Sequence, residues 1–268
     1  MKKKNKYTIF GHKGFLGQNI IAYLKKNNLD FFLPKKRQFV FSKNLNNIIY
    51  CIGIDDVFKD PLSSIKANFQ LASKIILENK FDSFIFISTT RIYFNSNKTA
   101  ENDLIHINPN SKNYFFNCLK LSAENFCLSQ KNKNIKVVRL SNLYGDHFGK
   151  QKYLLPTLIR NSLKKNVIDI NINKNSKKNY LNVEDAIDVI FKIIHKGKYR
   201  LYNVASKKLY TLNFIAKNIQ KITGCKIIYR NQKYKYNEPK ININRIKKEF
   251  NFKEKNNFGE KLINILKK

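Results

Sequence analysis

The stretch YTIFGHKGFLGQNIIAYLKKN, residues 7–27, decides the fold. Its first four residues are β-branched or aromatic, which favours a strand, and the residues from Phe15 onward carry apolar side chains at helical spacing. Three glycines join the two segments in a chain that has only nine, so the stretch predicts a strand, a tight turn and a helix. A helix N-terminus that follows such a turn can accommodate a pyrophosphate, which predicts a dinucleotide site. The residues expected at this site are Gly11, Gly14, Phe15, Leu16 and Gly17.

The alternation of strands and helices continues along the chain. Strands are predicted at 30–33, 48–54, 81–89 and 135–145, and helices at 63–80 and 116–130. This order implies an α/β fold with a parallel, doubly wound sheet. Fourteen residues separate Leu33 from Ile48, which leaves room for a strand QFVFS but hardly for a crossover helix as well. The sheet is therefore expected to be trimmed on that side.

Beyond residue 145 the alternation becomes irregular, which predicts a smaller lobe packed against the sheet. Helices are predicted at 153–165, 183–197 and 211–224, with the strands VIDIN, YRLYNVA and KIIYR between and after them.

The composition restricts the function classes. The net charge of +34 comes from 52 Lys and Arg against 18 Asp and Glu, but only seven of the cations are Arg, the residue that groove and phosphate recognition favours. The Lys are spread evenly, so nucleic-acid binding is a minor alternative, while the charge should help to attract a polyanionic small molecule. The longest apolar runs are too short to cross a bilayer and no signal-peptide core is present, so a cytoplasmic protein without membrane attachment is expected. The scattered Cys and His form no metal-ligand pattern.

The end of the second predicted strand bears on the choice of dinucleotide. A carboxylate there would bind the adenosine ribose hydroxyls of NAD, whereas a basic residue would accept the 2′-phosphate of NADP. The chain offers Lys35, Lys36 and Arg37 and no acid, which favours NADP.

Several motifs, in order, resemble those of the extended short-chain dehydrogenase/reductases that modify nucleotide sugars. They are G-x-x-G-x-x-G at 11–17, ST at 88–89 followed by RIY, K-L-S-A-E at 120–124, RLSNLYG at 139–145, KKNYLNVEDAIDVI at 177–190 and YRLYNVAS at 199–206. The resemblance spans nearly the whole chain. It implies a Rossmann-type NAD(P)-binding domain over 1–145, completed by the helix at about 183–197. It also implies a C-terminal α/β substrate lobe over 146–268, including the strand YRLYNVA, that holds a nucleotide-diphosphate sugar.

The resemblance implies three catalytic side chains: a Ser or Thr, a Tyr, and a Lys four residues after the Tyr. Thr89 matches the hydroxyl and Lys120 the Lys, but the position four before Lys120 is Phe116, which cannot transfer a proton. Tyr114 lies about 240° around an ideal helix from Lys120, so it could substitute only if the helix begins after it.

Further contacts are implied by the same resemblance. Near the cofactor they are Ile52, Gly53 and Asn68, together with Lys120. The candidate substrate-binding residues are Arg91, Tyr93, Asn142, Tyr144, Lys152, Lys178 and Tyr180.

Three functional hypotheses follow. The first is an enzyme that epimerises, dehydrates or reduces a nucleotide-diphosphate sugar with NAD(P). The second is a protein of the same fold that binds both ligands but is catalytically impaired, and the third is a basic nucleic-acid binder. The apolar helices at 63–80 and 116–130 predict a homodimer, because they match the helices that family members pair at a four-helix interface.

Overall fold

Six parallel strands form the central sheet of the protein. The structure, a computed structural model, describes residues 6–146 and 153–266. Numbered in chain order, the strands of the sheet are β1 (Lys6–Phe10), β2 (Asp30–Phe32), β3 (Asn47–Tyr50), β4 (Ser83–Thr89), β5 (Ile135–Leu140) and β10 (Leu201–Val204). Their order across the sheet is β10-β5-β4-β3-β1-β2. The predicted α/β class with a doubly wound parallel sheet is confirmed.

Helices cover both faces of this sheet because its strands are apolar on both sides. α1 (Phe15–Lys26) and α6 (Val183–Lys196) pack on one face, where Ile9, Ile20 and Ile190 share one core. α3 (Leu71–Glu78) and α4 (Phe115–Ser129) pack on the other, where Ile75 and Phe84 belong to a second core.

The sheet ends at β2, as the short connection between residues 33 and 48 predicted. QFVFS forms no strand. Instead Phe41 donates its backbone N–H to Asn79 Oδ1 (2.9 Å), while Asn79 Nδ2 donates to the Phe39 carbonyl (2.8 Å). The two aromatic rings pack against Phe10, so the loop closes this edge of the core without adding a strand.

The helix predicted at 63–80 forms in three parts. α2 (Pro61–Ile65) continues into a π-helical turn (Lys66–Gln70) and then into α3. π-helical turns inside α-helices are frequently found at functional sites. This one carries Asn68, whose side chain is completely buried.

The predicted strand at 135–145 divides between two sheets, and only β5 belongs to the central one. β6 (Asn142–Tyr144) pairs instead with β9 (Tyr180–Asn182). In contrast, β10 comes from the second half of the chain but pairs with β5 in the central sheet, so the expectation that it belongs to the substrate lobe was wrong.

The lobe has a core of its own. It contains α5 (Leu154–Lys165), α7 (Leu212–Thr223) and α9 (Phe258–Leu266), with α8 (Asn244–Phe250) beside the central sheet. β7 (Val167–Ile170) pairs with β12 (Lys226–Tyr229), and β8 (Lys177–Lys178) pairs with β11 (Tyr210–Thr211). Among the described residues, no helix is both long enough and apolar enough to span a bilayer.

Candidate active site

The glycine turn brings the backbone of β1 into direct contact with the backbone after β3. Gly11 has a φ of +86°, and a Cβ on it would lie 2.8 Å from the Cys51 carbonyl carbon. A Cβ on Gly17 would lie 2.4 Å from the Gly11 carbonyl oxygen. Both positions therefore require glycine. α1 begins directly after Gly14, without a side-chain cap and without an acid in its first turn, so its N-terminus suits an anion.

A second cradle lies beyond β3, around Gly53. A Cβ on Gly53 would lie 3.3 Å from Asn68 Oδ1 and 3.4 Å from Lys120 Nζ, so only glycine leaves this space open. Asn68 Nδ2 donates to the Ile54 carbonyl (2.7 Å) and to the Ser64 carbonyl (3.0 Å). Asn68 Oδ1 is buried and finds no hydrogen-bond partner in the described parts of the chain. A buried acceptor in this position suits a hydroxyl donor of a bound ligand.

Lys120 is buried at the base of this cradle. Its Nζ donates to the Ile87 carbonyl (3.1 Å) and lies 4.9 Å from the centroid of the Phe86 ring. Burial lowers the pKa of Lys120 from 10.5 to about 8, although Glu124 and Cys51 act to raise it. The ammonium group is therefore placed where a ligand could use its proton or its charge.

Phe116 lies on the same side of α4 as Lys120, as the helical spacing predicts. Its side chain is 7% exposed, and its ring centroid lies 6.0 Å from Lys120 Nζ and 5.0 Å from the Arg91 guanidinium carbon. Arg91 follows Thr89 at the end of β4, and the Thr89 hydroxyl accepts the Arg91 backbone N–H (3.1 Å). The site thus combines a hydroxyl, an ammonium and a guanidinium around an aromatic ring that carries no ionisable group.

The start of α4 allows Tyr114 to act as a substitute phenol, but its ring packs elsewhere. α4 begins at Phe115, so Tyr114 precedes it, in a 3-10 turn at Lys112–Tyr114. Its ring contacts Phe94 with a centroid distance of 6.3 Å. The aromatic rings near Lys120 Nζ are instead those of Phe86 and Phe116.

A small pocket adjoins Thr89 and Arg91 where the sheet meets the lobe. Its volume is about 70 Å³, and Ser141 and Asn142, which follow β5, form one wall. A further part of the wall comes from the irregular segment after β12, which contributes Tyr236, Glu238, Pro239 and Ile241. Ser141 is 7% exposed, and its Oγ has no hydrogen-bond partner within the described residues, so it can bind a ligand hydroxyl.

The family follows from a comparison with family models. The model described as "NAD dependent epimerase/dehydratase family" matches residues 41–205, which is more than half of the chain. The chain belongs to the NAD dependent epimerase/dehydratase family. The family relationship predicted from the motifs is confirmed. A search of curated proteins gives no match.

Solved structures with the same fold include proteins that bind nucleotides. RMD from Pseudomonas aeruginosa, complexed with NADPH, is 18% identical with a TM-score of 0.81, and 98% of each chain is covered. UDP-glucuronic acid 4-epimerase from Bacillus cereus, in complex with UDP-glucuronic acid and NAD, is 18% identical with a TM-score of 0.79 and 98% of each chain covered. dTDP-glucose 4,6-dehydratase from Bacillus anthracis, in complex with NAD, is 17% identical with a TM-score of 0.78, covering 98% of this chain and 95% of that chain.

The candidate cofactor residues of this family member lie along one edge of the sheet. Gly11 and Gly53 lie beyond the carboxyl ends of β1 and β3, and Lys120 reaches the same edge from α4. The basic residues 35–37 follow β2 and are exposed. They lie in the loop that begins where β2 ends, which is where the sequence analysis expected them.

Three predicted substrate residues lie in the cores instead of the pocket. Tyr144 and Tyr180 pack against Phe258, with centroid distances of 4.8 Å and 5.8 Å. Tyr93 is 0% exposed, and its hydroxyl donates to Asn203 Oδ1 (3.0 Å). Their rings pack inside the protein, so their positions do not support the expected contact with a substrate. Lys152 falls outside the described residues.

Tyr93 belongs to a buried polar network behind the strand ends. Arg139 Nη1 donates to the Tyr93 hydroxyl (2.6 Å), and Arg139 Nη2 pairs with Glu124 (2.7 Å). Glu124 also accepts a hydrogen bond from Ser88, the residue before Thr89. Because a buried carboxylate needs such partners, the network fixes the end of β4 against α4.

Sequence reasoning missed the wall formed by Tyr236 and Glu238. Their segment has no strand or helix periodicity, so pattern analysis gave no prediction there. One signal was available: Glu238 is the single acid between residues 226 and 248 of a Lys-rich stretch. Lys178 Nζ lies 3.9 Å from the Tyr236 ring centroid and 3.1 Å from Glu238 Oε1, so the predicted Lys178 does reach this wall.

Two more phenols lie near Arg91, but their pKa values do not suit proton transfer. Partial burial, with Asp55 adding to it, raises the pKa of Tyr153 to about 12, although the residue is 52% exposed. Burial and Glu238 raise the pKa of Tyr236 to about 12 as well. A phenol is most useful as an acid–base group when its pKa lies near the working pH, so neither matches the task. Within the described residues, no group of three or more His, Cys, Asp or Glu could hold a metal ion.

Proposed function

We propose that this protein binds NAD(P) along the glycine-lined edge of the sheet and a nucleotide-diphosphate sugar whose sugar enters the pocket beside Thr89. The reaction class is epimerisation, dehydration or keto reduction of the sugar. The observation that carries this proposal is the cradle at Gly53. There Asn68 Oδ1 and Lys120 Nζ flank a space that any side chain on residue 53 would fill.

The residues of the chain fit a dinucleotide in three places. Gly11, Gly14 and Gly17 allow the pyrophosphate to approach the N-terminus of α1. Asn68 and Lys120 supply an acceptor and a donor for ribose hydroxyls. When bound, the nicotinamide supplies reversible hydride transfer with the sugar.

Thr89 and Lys120 have distinct roles in this proposal. The Thr89 hydroxyl accepts the Arg91 N–H and can donate its own proton to a sugar oxygen in the adjoining pocket. Lys120 provides an ammonium group, and burial lowers the pKa of this group to about 8. The relatives bound to UDP-glucuronic acid and to NAD or NADPH support these ligand classes.

A second candidate function is binding without efficient turnover. Phe116 favours it, because its ring lies between Lys120 and Arg91, where the family pattern requires the phenol that transfers the sugar proton. Binding of both ligands depends on the cradle and the pocket and does not require that phenol.

Two measurements test the proposal. Nucleotides released by denaturing the purified protein are identified by mass spectrometry, and we expect NAD(P)(H) and a nucleotide-diphosphate sugar among them. The protein is then titrated with NAD(H), NADP(H) and a panel of UDP-, dTDP-, GDP- and CDP-sugars. Product formation supports the enzyme, and tight binding without product supports the second candidate. Failure to bind any dinucleotide would overturn both.

The cofactor preference is proposed to be for NADP(H). Lys35, Lys36 and Arg37 are exposed after the end of β2, where a basic group can meet a 2′-phosphate. RMD from Pseudomonas aeruginosa has the same fold and was solved in complex with NADPH, which supports this preference.

The protein is also proposed to form a homodimer through α3 and α4. α4 has only two charged residues, Lys120 and Glu124, and both are buried, so its outer face is uncharged in a chain with a net charge of +34. Leu119 and Phe126 are partly exposed on that face, and Leu77 on α3 is 67% exposed. An uncharged surface of this kind on α4, with an exposed leucine beside it, suits an interface between copies of a strongly charged chain.

A further inference from the structure

Glu238 forms an unusually complete set of contacts for a carboxylate on an irregular segment. Its Oε2 accepts the Asn179 backbone N–H (2.7 Å) and Asn142 Nδ2 (2.9 Å). Its Oε1 accepts Lys178 Nζ (3.1 Å) and Asn142 Nδ2 (3.1 Å). Three donor groups therefore converge on one carboxylate.

These donors form an anion-binding site, and the Glu238 carboxylate of the same chain occupies it. An ammonium, a backbone N–H and a side-chain amide are groups that bind carboxylate and phosphate oxygens alike. Glu238 lines the same pocket as Thr89 and Arg91, so the anion site opens toward the proposed sugar site. The side chains of Lys178 and Glu238 are 18% and 15% exposed, so water screens their attraction only in part.

We propose that the Glu238 carboxylate occupies the site of an anionic group of the ligand and must leave Lys178 before a nucleotide diphosphate can bind fully. This inference rests on the proposed function, since it concerns the same pocket. Glu238 thereby lowers the affinity for every ligand whose diphosphate must displace it from Lys178.

The backbone around Glu238 is held independently of its side chain. The Glu238 N–H donates to the Lys177 carbonyl (3.0 Å), and Thr99 Oγ1 donates to the Lys240 carbonyl (2.9 Å). A side-chain rotation can therefore release Lys178 while the segment stays in place. Glu238→Gln keeps an acceptor for the Asn179 N–H but removes the charge that holds Lys178.

The test compares the binding of UDP, dTDP, GDP and CDP to the wild type and variants by isothermal titration calorimetry at low ionic strength. We expect Glu238→Gln to bind the preferred nucleoside diphosphate about tenfold more tightly, because the Lys178 ammonium is then no longer paired with a carboxylate. In a Lys178→Met background the same substitution should give no gain.

The matched control is Glu254→Gln. Glu254 also accepts a backbone N–H, from Lys207 (2.7 Å), and a side-chain donor, Ser206 Oγ (2.8 Å), but it lines a different groove. Its substitution makes the same change in net charge and should leave affinity within about twofold, since a distant surface charge is screened.

Each outcome decides the proposal. Unchanged or weaker binding by Glu238→Gln would overturn it, because the carboxylate would then only position Lys178 and Asn142. An equal gain in Glu254→Gln would overturn it as a general charge effect. If Glu238→Gln loses its cooperative melting transition, Glu238→Ala carries the same prediction, and unfolding of both would show a structural anchor instead. If neither the wild type nor any variant binds a nucleotide, the proposed function itself is refuted. If the wild type binds nucleotides but Glu238→Gln does not bind them more tightly, only the inference about Glu238 fails.

Discussion

Phe116→Tyr is the substitution that tests most directly how this site transfers protons. The introduced phenol would extend from a ring whose centroid lies 6.0 Å from Lys120 Nζ and 5.0 Å from the Arg91 guanidinium carbon. A unit charge at about 6 Å interacts with a phenolate by roughly 3 kcal/mol at an effective dielectric constant of about 20. One such charge would lower the pKa of the phenol from about 10 to about 8.

The expected gain in rate follows from that tuning. A positioned acid–base group with a pKa near the working pH contributes roughly 10²–10⁴ in rate, or about 3–5 kcal/mol of activation free energy. We therefore expect Phe116→Tyr to create or raise turnover by about 10² or more. Its kcat/KM should also acquire a dependence on the ionisation of this phenol, in addition to any dependence on Lys120, whose pKa burial lowers to about 8.

The assay follows the conversion of the nucleotide sugar that copurifies with the protein, with products identified by mass spectrometry at several pH values. Lys120→Met in the Phe116→Tyr background serves as a control. It should remove most of the gain, because the phenol then loses its closest ammonium. Tyr114→Phe should change turnover little, since the Tyr114 ring packs against Phe94.

One pattern would refute this reasoning. If Tyr114→Phe abolishes turnover while Phe116→Tyr is neutral or harmful, the acid–base group has moved by two residues to the start of α4. A wild type that is already fast and insensitive to Tyr114→Phe would point to another donor in the pocket.

Three further predictions concern the cofactor, the interface and stability. NADP(H) should bind at least as tightly as NAD(H). Replacing Lys35, Lys36 and Arg37 by Ser should weaken NADP(H) binding about tenfold or more, while NAD(H) binding stays within about threefold of the wild type. A clear preference of the wild type for NAD(H) in titrations would contradict this. Leu119→Glu should convert a dimer into a monomer in light scattering at micromolar concentration, because each copy would place a like charge on the uncharged surface of α4. A wild type that is already monomeric would count against the interface. Lys120→Met should raise the free energy of unfolding at pH 7 by up to about 3 kcal/mol, because the pKa of the buried ammonium is lowered to about 8 from 10.5. Below pH 8 the folded and unfolded wild type both hold this proton, so the free-energy cost of burying the charge is complete. Between pH 8 and 10.5 only the unfolded state keeps the proton, so the wild type should become more stable as the pH rises. A difference in unfolding free energy between variant and wild type, measured in urea, that does not shrink toward pH 10.5 would contradict this.

Features that depend on local spacing were predictable from the residues alone. The three glycines and the apolar pattern after them were enough to predict a strand, a turn and a helix, because a Cβ at Gly11 or Gly17 would collide with backbone. The relation of Phe116 to Lys120 was equally predictable, since four residues make about one turn of a helix. The same local rules predicted the trimmed sheet edge from the length of the connection after Leu33.

Which side chains face the pocket depends on long-range packing and could not be predicted from the residues alone. Tyr93, Tyr144 and Tyr180 were plausible substrate contacts by motif, but packing against distant residues buried them, and no local periodicity encodes that choice. Glu238 reaches Asn142 across 96 residues of sequence from a segment without regular pattern, so its part in the pocket could not be read locally. Strand and helix periods arise from the backbone geometry of neighbouring residues, whereas a pocket wall arises from contacts between segments that folding brings together.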